Sequence, residues 1–127
     1  MGDRGNIKFV GTGPSPIYFY THYEGSELDA ILRRGLDNGR NRWNDAQYLA
    51  RIVFCAMVVD NVDGETGYGI STQLYDNEHP ILVVDAINGK VYRETESGAR
   101  RDDREWTFAE FLAGTAANES EVTGDEE

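Results

Sequence analysis

The sequence predicts a single α+β domain over residues 1–113, and three observations carry that expectation. Short alternating apolar runs cluster toward both ends of the chain, helical apolar spacing occupies the middle, and the residues between are turn formers. Strands grouped at the ends with helices between them argue for a mainly antiparallel sheet packed on a buried central helix. The expected order is β-β-α-α-β-β-β-α.

A first strand is expected over Asn6–Gly11, with Ile7 and Phe9 on one face. Thr12-Gly13-Pro14-Ser15 supplies a turn, and Pro16–His22 returns as the second strand. There Ile17, Phe19 and Thr21 alternate with Tyr18, Tyr20 and His22, the pattern of a half-buried hairpin. Glu24-Gly25 breaks the strand, and Ser26 is placed to cap a helix by accepting from the amide of Asp29. Leu28, Ile31, Leu32 and Leu36 recur at helical spacing, and Asp37-Asn38-Gly39 ends the helix with Gly39 in the left-handed position.

A second helix over Ala46–Asp60, capped by Asn44 or Asp45, is so apolar after Arg51 that burial on more than one side is expected. Gly67–Leu74 reads as a strand weakened by its glycines, Tyr75–Pro80 as a turn, and Ile81–Ile87 as the most strand-like segment, rich in β-branched residues. Asn88-Gly89 is a two-residue hairpin signal leading into Lys90–Thr95. Glu96–Glu105 is a charged loop. Thr107 then caps a short helix with Glu110 three residues on, which sets Phe108, Phe111 and Leu112 on one face. Residues 114–127 hold almost nothing apolar and read as a disordered acidic tail.

A chain of 127 residues can bury enough surface to fold without a disulfide or metal, and Cys55, the one cysteine, has no partner within the chain. The polar start and an apolar run of only Ile52–Val59, far short of the ~20 residues that span a bilayer, lead us to expect a cytoplasmic protein with no membrane partner. The net charge is −11, with ten arginines but only Lys8 and Lys90 as lysines. That balance fits a high-GC coding genome or a high-salt cytoplasm, where carboxylates keep a surface hydrated while salt screens their repulsion. A sharper alternative is a carboxylate array imitating DNA phosphates, as in an acidic inhibitory or virion-associated structural protein. No basic stripe exists to neutralise phosphates, so direct nucleic-acid binding is not expected.

Candidate site residues follow from side-chain chemistry. Tyr18, Tyr20 and His22 present apolar bodies with polar tips, suited to a shallow pocket or a protein interface. Arg4, at the start of the first strand, and Arg42, before the second helix, offer guanidinium forks for phosphate or carboxylate, and Trp43 could stack on a base or lid the helix junction. Asp85 is an acid inside an apolar strand and must be paired, hydrogen-bonded or at an edge; pairing with an arginine is the bland reading, an acid–base role with His22 the functional one. The Gly64–Thr72 segment fails the phosphate-loop spacing, lacks the lysine and leads into a strand rather than a helix. Cys55, lying deep in the most apolar helix, is expected to stay protonated and inert rather than join a Cys-His-Asp set with His22 or His79. Asp76, Glu78 and His79 have the composition of a turn more than of a metal site, and neither a metal nor a cofactor is expected.

The segments Arg4–Ile7, Ile17–His22, Arg42-Trp43, Tyr48–Phe54, Glu65–Ser71, Asp76–Asp85 and Trp106–Phe108 together resemble a family of short phage- and prophage-type proteins from high-GC bacteria and haloarchaea. The resemblance spans roughly residues 4–112 and brings no activity or catalytic residue with it. What it implies is a mobile-element context, in which small proteins without enzymatic motifs act by binding. The function expected is therefore a non-enzymatic binding protein, a possible homo-oligomer, for a nucleotide-like small molecule or a host protein. The alternatives are a small hydrolase or transferase using His22 and Asp85, and the acidic protein described above.

Overall fold

The computed structural model describes residues 2–74 and 77–114. Tyr75 and Asp76 of the expected turn, and the expected tail from residue 115 onward, lie outside the described residues.

Among the described residues, six strands form one sheet, with three α-helices packed on one of its faces. In chain order these are β1 (Gly5–Val10), β2 (Ile17–Thr21), α1 (Leu28–Asn38), α2 (Ala46–Met57), β3 (Tyr68–Ser71), β4 (Ile81–Asp85), β5 (Lys90–Glu94), β6 (Trp106–Thr107) and α3 (Phe108–Leu112). The spatial order is β3-β2-β1-β4-β5-β6. Every neighbouring pair is antiparallel except the central one, where β1 runs parallel to β4 with Ile7 opposite Leu82 and Phe9 opposite Val84. The α+β, mainly antiparallel expectation is met. The sixth strand was missed because two residues are too few to show a period.

Strand alternation sorts the sheet into two faces. Ile7, Phe9, Phe19, Leu82, Val84 and Val91 turn toward the helices and meet Leu28, Ile31, Leu32 and Leu36 of α1, Leu49, Ala50, Val53 and Met57 of α2, and Phe108 and Phe111 of α3 in one core. The opposite face carries Lys8, Tyr18, Val83, Tyr92 and Glu94, aligned by register. Ile81 and Val83 are buried there, outside the helix-side core. Lys8 reaches Glu94 across that face at 3.0 Å, a pair only 20 % and 11 % exposed.

Four local expectations need correction. First, α2 is buried on one side only, since α1 and the sheet cover a single stripe of it. Tyr48, Arg51 and Cys55 line its outer side, so Cys55 is exposed rather than deep. Second, Gly39 is not left-handed (φ −102°). It is small because a Cβ there would stand 2.8 Å from Leu49 Cδ1. Gly35 serves the same end one turn earlier, where a Cβ would come 2.9 Å from the Val53 Cα, so glycine lets α1 and α2 cross closely despite its cost in a helix interior. Third, β4 stops at Asp85 instead of running to Ile87. The Asp85 Oδ1 accepts from the amides of Ile87 and Asn88 (3.0 and 3.1 Å) and Oδ2 accepts from Asn88 Nδ2 (2.9 Å), so the side chain closes a four-residue turn. Gly89 completes that turn with a left-handed φ of 68°. Fourth, neither Ser26 nor Asp45 caps its helix with its side chain. The capping box at α3 does form, with Thr107 and Glu110 exchanging both bonds.

Candidate functional site

The residues singled out from sequence do not form one site. Tyr18, Tyr20 and His22 stand on the helix-free face, with the Tyr20 hydroxyl 3.0 Å from His22 Nδ1. Arg4 lies at the same end of the sheet, held by Glu78 through its amide (2.8 Å) and its guanidinium (3.1 Å). Trp43 belongs to the other side of the sheet. Its indole donates to the Leu36 carbonyl at 2.9 Å and its ring meets Phe108 edge-on at 5.6 Å, so it lids the junction of α1 and α3. Arg42 lies over Tyr48 at 4.9 Å on the outer side of α2. The aromatic face and the Arg42-Trp43 pair are thus separated by the sheet.

Asp85 shares a face with His22 but sits at the opposite end of the sheet, since Asp85 pairs with Val10 while His22 follows the Thr21–Gly5 pair. The six-residue offset along β1 amounts to roughly 20 Å. With its carboxylate committed to the turn, Asp85 pairs with no arginine and is out of reach of His22 as an acid–base partner.

A concave site that uses none of these residues lies between the helix layer and the sheet, beside the start of β4 and the end of β5. It is a cleft of about 630 Å³. One wall is the start of α1 with the single 3-10 turn before it, Gly25–Glu27, and the other is Arg93 of β5 with the loop carrying Arg101, Asp102 and Arg104. His79, Pro80, Leu82 and, from the second turn of α1, Arg33 also line it. Four arginines converge here in a chain of net charge −11.

The four are not equivalent. Arg93 donates to Asp29 at 2.7 Å and stacks on Trp106 at 5.2 Å, which fixes it as part of the wall. Arg104 faces Asp102 at 3.6 Å. Arg101 is exposed and has no carboxylate within ion-pair distance among the described residues; its amide is anchored to the Arg93 carbonyl at 2.9 Å. Arg33 lies 6.0 Å from the Phe111 ring centre, and its Nη1 is sealed from solvent with no hydrogen-bond acceptor among the described residues.

Beside the cleft, Ser26, Asp3 and His79 form a clasp. The Ser26 amide and hydroxyl both donate to Asp3 Oδ2 (3.0 and 2.5 Å), His79 Nε2 meets Asp3 Oδ1, and the Gly25 amide donates to the Asp3 carbonyl at 2.6 Å. Asp3, more than twenty residues away in sequence, therefore caps the helical segment that Ser26 was expected to cap. The three residue types are those of a hydrolytic triad, but the wiring is wrong for one. Nucleophilic catalysis needs histidine between serine and acid, whereas here the acid lies between the other two. The Ser26 hydroxyl, and after it His79, hold the Asp3 carboxyl below the usual carboxylate range, which makes it a poor base.

That depression has a sign. A carboxyl whose folded pKa lies below its unfolded value, about 3.9, stabilises the fold fully above that value and loses its contribution as pH falls through the folded one. Asp3→Asn should therefore show a shallower loss of stability than the parent chain on acidification below about pH 5, measured by urea unfolding across a pH series. Identical acid limbs would mean the clasp does not couple to folding.

The arginines of the cleft were missed at the sequence level because they come from α1, β5 and the β5–β6 loop. The available signal was compositional: Arg100, Arg101 and Arg104 lie within five residues of a chain with ten arginines. The glycine-rich Gly64–Thr72 segment, the other apparent ligand loop, contributes β3 at the sheet edge and none of the cleft lining. Glu78 and His79 diverge to Arg4 and Asp3, and no cluster of three metal-ligating side chains occurs among the described residues. Nor is any helix among them long and apolar enough to cross a membrane. No family model, curated protein or solved structure matches the chain.

Proposed function

We propose that this chain is a non-enzymatic binding protein that holds a small anionic molecule in the arginine cleft. The observation that carries the reading is the lining of one cleft by four arginines, of which Arg33 and Arg101 have no ion-pair carboxylate among the described residues. Guanidinium forks of this kind bind oxyanions strongly. The cleft volume lies in the range of small-molecule sites, and the mobile-element setting implied by the resemblance suits a protein that withdraws a metabolite from use. The two competing readings are less well supported. His22 and Asp85 are too far apart for shared acid–base work. Several carboxylates of the described body are paired with cations (Asp37 with Arg40, Glu105 with Lys90 and Arg100, Glu78 with Arg4), which weakens a reading as a phosphate-like array.

Arg33→Met tests the reading, because methionine keeps the stem that packs near Phe111 while removing the fork. Without ligand the variant should be as stable as the parent or more so, since an unsatisfied donor has been deleted. A panel of anionic metabolites screened by thermal shift should contain at least one that stabilises the parent, by about 2.7 kcal/mol at 100 times its Kd, and leaves Arg33→Met unmoved. A variant that is destabilised by 2 kcal/mol or so and still responds to the ligand would make Arg33 structural and sink the proposal.

A further inference from the structure

We infer that the ligand of this cleft is a phosphomonoester carried on a small hydroxylated body, either a mononucleotide or a sugar phosphate. The inference rests on the anion-binding reading above and specifies its chemistry. Charge balance sets the first limit. Arg93 with Asp29 and Arg104 with Asp102 are internally compensated. That leaves Arg33 and Arg101 as the cleft arginines without a carboxylate partner among the described residues.

Two guanidinium forks on separate elements, one on α1 and one on the β5–β6 loop, set the second limit. A carboxylate offers two oxygens in one plane and satisfies a single fork, whereas the three terminal oxygens of a phosphomonoester can serve both at once. The backbone at Arg33 is held by its helix and that at Arg101 by the bond from its amide to the Arg93 carbonyl, so both side chains start from fixed points on the cleft lining. The four arginines of the lining outnumber its three carboxylates, Glu27, Asp29 and Asp102, so the cleft favours an anion.

The remaining space sets the third limit. About 630 Å³ is far more than a phosphate fills. Besides the arginines, the lining includes Ser26 and Glu27 as well as Pro80 and Leu82. Hydroxyl and carboxylate acceptors together with two apolar side chains suit a ligand whose body carries hydroxyls.

Isothermal titration of the full chain in phosphate-free buffer tests this, using adenosine 5′-monophosphate and ribose 5-phosphate against adenosine, ribose and citrate. The expected result is binding of one or both phosphomonoesters, at least tenfold tighter than adenosine, ribose or citrate. Arg101→Ala, an exposed change that leaves the core untouched, should weaken it tenfold or more, and Arg101→Lys should weaken it by less. The nucleotide arm binding alone would assign the body as a nucleoside, and equal binding of both phosphates would assign it as the sugar. Citrate binding as tightly as the phosphomonoesters, with the same loss in Arg101→Ala, would overturn the phosphomonoester while leaving the anion site standing. No binding by any of the anions would overturn both, and phosphomonoester binding unaffected by Arg101→Ala would place the ligand outside this cleft.

Discussion

Phe19→Ala should lower the unfolding free energy by about 3–5 kcal/mol, the largest loss expected from a single substitution in this chain. Phe19 is 1 % exposed, in the middle of β2, and its ring sits between Phe9 at 6.0 Å and Phe54 of α2 at 5.3 Å. It therefore ties the outer hairpin strand both to the central strand and to the helix layer. Truncation removes the transfer energy of the ring and leaves a void that the register on both sides prevents from closing, because Phe19 pairs with Ile7 on one edge and Ile70 on the other. For a domain whose total stability is about 5–15 kcal/mol, that is about a fifth of the whole or more. Urea unfolding should show a large drop in midpoint at an unchanged m-value. Phe19→Leu, which keeps most of the volume, should cost about 1–1.5 kcal/mol. A loss below 1 kcal/mol for the alanine variant would mean that the aromatic cluster does not couple β2 to α2.

Gly25→Ala should be nearly as damaging although it adds one methyl group. A Cβ at this position would lie 2.6 Å from His79 Cδ2, 2.7 Å from the Asp3 carbonyl oxygen and 2.9 Å from the Arg4 carbonyl carbon. Two of those atoms are backbone, held in place by the Asp3 amide's bond to the His22 carbonyl and by the pairing of β1. Gly5 faces the same crossing, since a Cβ on it would stand 2.9 Å from the Gly25 Cα. The N-terminal segment must then move off the helix start, which removes the Gly25–Asp3 bond and pulls Asp3 from Ser26. Overpacking costs about 1–3 kcal/mol and the lost cap about 1 more. Gly13→Ala, whose Cβ meets nothing within 4 Å, is the control and should be close to neutral. Equal midpoints for the two variants would show that the crossing can relax freely.

The legible elements share one property: their determinants lie within a few residues of one another. The Ile7/Phe9 and Ile17/Phe19 alternation, the Leu28-Ile31-Leu32-Leu36 stripe and the Thr107–Glu110 box all appear where expected. Most elements that failed depended on distant partners. Ser26 is a good cap by local rule, but Asp3 reaches its amide from the N-terminal segment and takes the role. Asp85 is the exception, because its partners are the amides two and three residues on, within a turn where the apolar run to Ile87 had read as continuous strand. The parallel β1–β4 pair joins segments more than seventy residues apart, and nothing in either strand's own pattern distinguishes a parallel neighbour from an antiparallel one.

Sequence alone determined the α+β class, most elements, and which residues of β1, β2, α1 and α3 face the core, because hydrophobic period is a local property read directly from side-chain order. It also showed an acidic, arginine-rich chain with no catalytic signature. Only the tertiary structure decided where a ligand could sit. It put Tyr18, Tyr20 and His22 on the opposite side of the sheet from Arg42 and Trp43, and it brought Arg33, Arg93, Arg101 and Arg104 from three separate elements into one cleft. The physical reason is that a site of this kind is a sum of charges converging through space. Convergence is set by strand order and helix crossing, and close approaches such as that of Gly5 to Gly25 fix both only once the whole chain has folded.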